Sequence, residues 1–520
     1  MCGFVLYKGN TPNRQEFKKL LKKIKYRGPD GTRIVQHNNT LVGFNRLAIM
    51  DLSENGMQPM ENADIISVCN GEFYNYKNLK DNKYDYLSES DSEIILSLYK
   101  QNSNLYELGN LLDGEYAFAL YDKNLDKVFA MRDPMGIRPL FYAKETNGIW
   151  FASELKAIPS HLEVTPFPPG HYYDGENFKS FNTVYETSEL INSKSIAIDK
   201  INSLLTEAVK VRLNSDANIG FLLSGGLDSS LVCSIAAKES KTPIHTFAVG
   251  INKNPIDTKY AKTVSDYLGT IHTEVLFSEE DISNSLNNLI YRLETWDITT
   301  IRASVGMDLV CRYIRDNTDI KVIFTGEVSD ELFGYKYTDF APTGKEFQED
   351  SIKRIKELYL YDVLRADRCI ASNSLEARVP FSDTEFVNMV MSIDPSIKMN
   401  TYGIGKHLLR EAFKDGYLPE DILLREKAAF SDAVGHRSVD YLKELADGIY
   451  TDDDFEERKK KFKVQPLSKE ALMYKEIFLK HYPNKELIIP DYWMPNAEWD
   501  GCDVKDPSAR ALSNYGKSGN

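Results

Sequence analysis

The sequence predicts two joined domains, an α+β amino-terminal half built on antiparallel sheets sandwiched by helices and an α/β carboxyl-terminal half built on a parallel sheet. Three observations predict this. The chain has 520 residues, more than one ordinary core accommodates. Through about residue 185 short β-rich runs alternate with turn residues, whereas from about residue 198 strands are separated by helices. Between them "NTVYETSELINSKSIAI" (182–198) loses periodicity and collects Ser, Thr and Asn, which marks a connection. The domains are therefore placed at 2–185 and 198–490. Beyond about 490 the chain has little periodicity, and a partly mobile tail, 491–520, is expected.

In the first half, "TLVGFNRLAIMDLS", "IISVCNGEFYNY", "YAFALYDKNLDKVFAMRD" and "IWFASELKAI" read as strands. Two helices interrupt them. In "NRQEFKKLLKKIKYRG" the residues Phe17, Leu20, Leu21 and Ile24 form a stripe that ends at Gly28-Pro29, and "SDSEIILSLYKQN" is opened by a Ser90 cap. In the second half the helix "DKINSLLTEAVKVRL" buries Ile201, Leu204, Leu205, Ala208 and Val209 and leads into strand "NIGFLL", a glycine-rich turn and helix "SSLVCSIAAK". Strand "IHTFAVG", helix "TKYAKTVSDYLG", strand "HTEVLF", two helices and strand "IKVIFTG" follow. Such a sheet takes ligands at the carboxyl ends of its strands.

Composition excludes several classes. The chain is 42% hydrophobic and 27% charged, as in a packed globular protein. A formal net charge of −14 repels nucleic-acid phosphates, which argues against a general nucleic-acid role. Cys2, Cys69, Cys233, Cys311, Cys369 and Cys502 lie far apart, without metal-site spacing and too sparse for a disulfide scaffold. With no membrane-length apolar run and no signal-peptide pattern, a reducing, cytoplasmic location is expected. Cys69, Cys233, Cys311 and Cys369 read as buried packing residues, and "DDDFEERKKKFK" (452–463) as a solvated helix face with its flanking turn.

The sharpest local motif is "FLLSGGLDSS" (221–230), set between a strand and a helix, where backbone N–H groups and the positive helix end attract an anion. Gly225 and Gly226 allow close approach, Ser224, Ser229 and Ser230 supply hydroxyls, and Asp228 is a carboxylate in an anion site. A carboxylate there needs a cation, and Mg²⁺ bridges carboxylates and phosphates. The loop lacks the lysine of the common nucleotide loop. It resembles the pyrophosphate loop of the ATP pyrophosphatase superfamily. "VIFTGEVSDELFG" (322–334) ends another strand and offers Glu327, Asp330 and Glu331, candidates for metal binding or proton transfer.

A thiol at position 2 gains meaning if the initiator methionine is removed. The new α-amine, with a pKa near 7.7 to 8.0, then accepts the thiol's proton without a histidine. Cys2-Gly3, Arg27-Gly28-Pro29-Asp30, Arg46-Leu47-Ala48-Ile49, Asn70-Gly71-Glu72 and Ser90-Asp91 together resemble a class II glutamine amidotransferase domain of the Ntn-hydrolase type. Joined to the 224–230 loop, and with "RASVGM", "LYLYDVLRADR", "EARVPF", "KHLLREAF", "YWMP" and "DPSARAL" in order, the chain resembles the glutamine-hydrolysing asparagine synthetase family over nearly its whole length.

The resemblance implies that Cys2 attacks the glutamine amide, that Arg46, Glu72 and Asp91 hold the amino-acid head group, and that Asn70 and the Gly71 N–H form the oxyanion hole. It implies that Leu222, Leu223, Ser224, Gly225, Gly226, Asp228, Ser229, Ser230, Val249, Gly326 and Lys427 bind ATP and pyrophosphate, that Asp228 and Asp330 bind Mg²⁺, that Glu327 deprotonates ammonia, and that Arg302 contacts aspartate. Glutamine, aspartate and ATP are the implied small-molecule partners, with no nucleic acid or membrane, a homodimer as candidate assembly and an internal ammonia tunnel.

Three positions depart from the pattern: Val328 replaces a glycine, Thr325 a serine and Ser382 a leucine. A β-branched residue resists positive φ, so a shifted 327–330 loop and weakened synthetase turnover are expected. Two alternatives stay open beside an asparagine synthetase, namely an amidotransferase or acyl-adenylate enzyme acting on another carboxylate, and a catalytically silent homologue.

Overall fold

The computed structural model describes residues 1–10, 12–186, 189–252, 257–426 and 436–515. The first half contains strands β1 (Gly3–Gly9), β2 (Gly31–His37), β3 (Thr40–Arg46), β4 (Met60–Glu61), β5 (Ile65–Phe73), β6 (Gly114–Asp122), β7 (Lys127–Arg132), β8 (Phe141–Glu145), β9 (Gly148–Ala152), β10 (Thr165–Pro166), β11 (His171–Tyr173) and β12 (Phe178–Ser180). They form two six-stranded sheets, ordered β10-β8-β9-β1-β3-β2 and β12-β11-β7-β6-β5-β4. Neighbours are antiparallel throughout.

The period of two along each strand builds the layers. Phe4 and Leu6 of β1, Val42 and Phe44 of β3, Ile66 and Val68 of β5, and Ala117 and Ala119 of β6 fill the space between the sheets. The alternate residues face outward onto helices. Val5 and Tyr7 share a cluster with Phe17, Leu20 and Leu21 of the helix Arg14–Lys23, and Cys69, Phe73 and Phe118 share another with Ile95 and Leu98 of the helix Ile94–Gln101. The Ser90 side chain accepts the Ser92 N–H, but a 3₁₀ turn, Asp91–Glu93, precedes that helix.

The second half holds β13 (Ile219–Leu222), β14 (His245–Ile251), β15 (Ile271–Phe277), β16 (Val322–Phe324) and β17 (Glu376–Arg378). All pair in parallel, in the order β15-β14-β13-β16-β17. The chain moves outward from β13 to β15 and then returns to the other side of β13 at β16. That reversal opens a crevice at the strands' carboxyl ends.

Ordered structure occupies the connection and the carboxyl-terminal segment. The helix that opens the second domain runs Lys194–Arg212, with Ser193 accepting the Ile196 N–H, so it starts upstream of residue 198. Within the segment expected as a mobile tail, Trp499, Cys502 and Leu512 join Tyr337, Ala341 and Phe347 in one buried cluster, and residues 516–520 lie outside the described residues. Aromatic side chains anchored one at a time leave no periodic trace, which is why the sequence reads as a tail.

The domains share their cores. Met135 and Ile137 of the first lie in one cluster with Leu358, Val363 and Val379 of the second. Charges buried between them are paired, as burial requires. Arg27 grips Asp367 with two nitrogens at 2.8 and 3.0 Å and reaches Glu154 at 2.7 Å. Cys69, Cys233, Cys311 and Cys369 are buried thiols without disulfides. No described helix is long and apolar enough to cross a membrane.

Candidate functional site

Two sites emerge, one in each domain. In the first, Cys2 stands at the start of β1, its Sγ 3.4 Å from the Leu47 N–H and 3.5 Å from the Leu47 carbonyl just beyond β3. With Met1 in place the Cys2 nitrogen is an amide. The Met1 α-amine lies 3.0 Å from the Leu375 carbonyl, and the Met1 sulfur lies 2.8 Å from Nη1 of Arg138. Burial pushes the Cys2 thiol up to about 11 and draws the Met1 amine down to about 5.

β5 supplies the next residues. Asn70 is fully buried, yet neither its Oδ1 nor its Nδ2 has a hydrogen-bond partner. An orphaned amide of this kind costs free energy unless a ligand satisfies it. Gly71 has φ of +150°, and a Cβ there would meet the Glu115 carbonyl at 2.2 Å, so only glycine lets β5 and β6 approach. Glu72 and Asp91 are both buried, and Asp91 Oδ2 accepts the Phe73 N–H at 2.8 Å. Burial, aided by facing Asp91 and Glu376, holds Glu72 well above the usual carboxylate range, and burial lifts Asp91 to about 7. Ionised carboxylates at this buried position are a counter-charge for an α-ammonium. Arg46 donates to the carbonyls of Asp51 and Ser53, which hold its fork in place.

In the second domain a cavity of about 190 Å³ opens at the carboxyl ends of β13 and β16. Leu222, Leu223, Ser224, Gly226, Asp228, Ser229, Val249, Gly326, Glu327 and Asp330 line it. Ser224 and Ser229 are joined Oγ to Oγ at 2.9 Å, and the Gly226 N–H donates to Ser224 Oγ at 3.2 Å, which shapes the loop over the start of the helix Leu227–Glu239. Gly225 takes φ of +70°, with a Cβ position only 2.5 Å from the Ala261 nitrogen. A Cβ on Gly326 would lie 2.8 Å from the Ser229 nitrogen, so two strand ends meet through glycine.

Asp228 and Asp330 converge on one cation, the Lys406 ammonium, at 2.7 and 2.5 Å. Ser329 completes the knot, donating to Asp228 at 2.7 Å and accepting from Lys406 at 2.9 Å. Two carboxylates that share one positive charge fit a phosphate-bound divalent ion. No group of three metal-ligating side chains occurs among the described residues, so phosphate oxygens would have to complete such a shell. Arg410 and Arg425 also reach the cavity wall, an electropositive side for a polyphosphate.

Val328 adopts φ of 79° and ψ of −22°, the left-handed conformation, and caps the helix Ser329–Phe333. The loop therefore demands the geometry of the missing glycine, and valine is held in it at a cost of order 1–3 kcal/mol. Glu327, Val328 and Asp330 all line the cavity in this conformation. Ser382 satisfies its hydroxyl within its own turn by donating to Val379 at 2.7 Å.

Some assignments change. Arg302 is absent from the cavity wall, because Glu470 takes its Nε and Nη2 at 2.9 and 2.6 Å and Asp506 takes Nη1 at 2.8 Å. In this arrangement it ties the helix Ile298–Asn317 to the carboxyl-terminal segment. Gly225 and Ser230 support the loop from outside the wall, and Lys427 lies outside the described residues. Residues given no role by sequence reasoning now join the site. Lys406 opens "KHLLREAF", and Arg365, inside "LYLYDVLRADR", lies 2.6 Å from Glu327 and 3.1 Å from Asp362. Their signal was a cation within a motif that the family resemblance had already picked out.

Residues 1–196 match the family model described as a glutamine amidotransferase domain, and residues 200–345 and 339–502 match the model described as asparagine synthase. A probable asparagine synthetase (glutamine-hydrolyzing) of Acanthamoeba polyphaga mimivirus is 41% identical over 98% of this chain and 100% of the relative. The asparagine synthetase (glutamine-hydrolyzing) of Mus musculus is 40% identical over 95% of each chain, and a probable one of Schizosaccharomyces pombe is 37% identical over 98% of each.

Proposed function

The chain belongs to the glutamine-hydrolysing asparagine synthetases, and from that premise we propose which side chains carry each half of the reaction. The observation that carries the proposal is the convergence of Asp228 and Asp330, from two adjoining strand ends, on Lys406 within a cavity framed by an anion loop.

In the first site the substrate's α-carboxylate pairs with Arg46 and its α-ammonium with Asp91 and Glu72. Once Met1 is gone, the Cys2 α-amine accepts the thiol proton as sulfur attacks the side-chain carbonyl. Asn70 Nδ2 and the Gly71 N–H receive the oxyanion. Collapse to the thioester expels the amide nitrogen, which takes up the proton and leaves as ammonia. Water then cleaves the thioester to glutamate and restores the thiol.

In the second site an oxygen of the aspartate β-carboxylate attacks the α-phosphorus of ATP and displaces pyrophosphate. The 224–230 loop, Lys406, Arg410 and Arg425 bind the departing charge, and Arg365 is the cation placed to meet aspartate. Mg²⁺ bound at Asp228 and Asp330 would neutralise the phosphate oxygens when present. Ammonia arriving through the protein attacks the acyl carbon, AMP departs, and Glu327, oriented by Arg365, takes the released proton. Water would protonate ammonia, so the interior route between the docked domains is part of the proposal. The cytoplasm as compartment and a homodimer as assembly complete it.

The test supplies ATP, Mg²⁺, aspartate and amide-labelled glutamine. Label should appear in asparagine in step with pyrophosphate, vanish in Cys2→Ala, and leave that variant's ammonia-dependent synthesis intact. Pyrophosphate release driven by another carboxylate in preference to aspartate would redirect the assignment.

A further inference from the structure

The glutaminase site is walled in part by the other domain. β17 is the edge strand of the parallel sheet, paired with β16 so that Arg378 lies opposite Phe324. The next residue on β16's side, Thr325, donates its N–H to the Arg378 carbonyl at 3.0 Å. The side chains of Glu376 and Arg378, two apart on the strand, share a face. They are buried and joined Oε1 to Nε at 3.2 Å. Between them the Ala377 carbonyl accepts Arg138 Nη2 at 2.8 Å, and after them the Val379 N–H donates to Glu115 at 3.0 Å. Arg138 and Glu115 belong to the first domain, so β17 is stitched to it along its length.

The Arg378 fork is divided. Nη1 donates to the carbonyls of Arg212 and, at 2.7 Å, Asn214, which fixes the guanidinium plane. Nη2 is buried with no hydrogen-bond partner and lies 3.6 Å from Glu72 Oε2. Burying an arginine nitrogen without a hydrogen bond is costly, and the anion it approaches at 3.6 Å is the carboxylate assigned to the glutamine α-ammonium.

We propose that Arg378 is a positioning residue of the glutaminase site, contributed by the synthetase domain, which holds the Glu72 carboxylate in place for the substrate's α-ammonium. The glutamine pocket is thus complete only while the domains are docked, and the strand that completes it is hydrogen-bonded to β16, the strand that leads into the Glu327 loop. The inference rests on the reading of Glu72 as a glutamine contact.

A double-mutant cycle in the full chain tests it, with glutamine KM and kcat read beside ammonia-dependent asparagine synthesis. Glu72→Gln and Arg378→Gln should each raise the glutamine KM about tenfold, the double variant should be no worse than Glu72→Gln alone, and ammonia-dependent synthesis should stay within about twofold of the parent. If Arg378→Gln does not fold, Arg378→Lys carries the test, with an expected rise of about threefold, because lysine keeps the charge and loses the fork. An unchanged KM in the Arg378 variant with an impaired Glu72→Gln overturns the proposal. Loss of ammonia-dependent synthesis in step with glutaminase also overturns it, since that marks a purely structural bolt. An unchanged KM in Glu72→Gln overturns the glutamine-pocket reading itself.

Discussion

Lys406 and Asp228 form a buried ion pair 2.7 Å long where the anion loop meets the acid-rich loop. The ammonium thereby occupies the point toward which two carboxylates are directed. Lys406→Met should leave those carboxylates facing each other, and removing one partner of a buried ion pair is strongly destabilising. The expected result is a lowered Tm that added MgCl₂ recovers by more than it raises the parent's. Aspartate-dependent pyrophosphate release should fall at least about a hundredfold, while glutaminase activity is unchanged. A Tm equal to the parent's in both buffers would remove Lys406 from the cation site.

Val328 offers a gain-of-function test. Val328→Gly relieves a left-handed β-branched residue, worth about 1–3 kcal/mol, but exposes the space of a side chain that is only 2% accessible, a loss of similar size. Stability should therefore change little. Turnover is the informative readout, and aspartate-dependent pyrophosphate release should rise several-fold as the 327–330 loop relaxes. Unchanged release and asparagine yield would show that the strain is harmless.

Much of this was legible before any coordinates. Asp228 and Asp330 stand at strand ends in short motifs whose charge is explicit in the residue types, and their strands carry clear apolar runs, whereas the expected roles of Cys2 and Asn70 came from the family resemblance. The ion pairs of Arg302 were not legible, because its partners, Glu470 and Asp506, lie 168 and 204 residues away, a separation that no local pattern encodes. β17 escaped for the opposite reason: "EAR" is a strand only three residues long, charged at both ends, and extended because β16 is its neighbour. The packed segment after residue 490 was missed because isolated anchors such as Trp499 show no period.

Methionine removal should switch the first site. While Met1 is present the thiol is held near 11 and the nearest amine is that of Met1, bonded to Leu375. Protein that retains Met1, identified by intact mass, should react slowly at pH 7.5 with an electrophilic glutamine analogue. The processed form should label Cys2 at least about tenfold faster, because the thiolate is the nucleophile. Equal labelling rates would assign the base to another group.

Asp91 gives a pH dependence with a defined sign. Burial lifts it to about 7 from the ordinary value of 3.8, so the folded state holds a proton that the unfolded chain releases. Its contribution to stability is present below about pH 4 and is lost as pH rises through about 7. Glutamine reverses the balance, because its α-ammonium requires the ionised carboxylate. In Cys2→Ala, which binds without turnover, glutamine affinity should strengthen between pH 6 and pH 8 by up to about tenfold, reflecting roughly one proton released per bound molecule. Asp91→Asn should bind weakly and lose this slope, and calorimetry in buffers of different ionisation enthalpy should count the proton directly. A slope that survives in Asp91→Asn would transfer the titration to Glu72, whose carboxylate faces the same pocket and is raised by burial and by Asp91 itself.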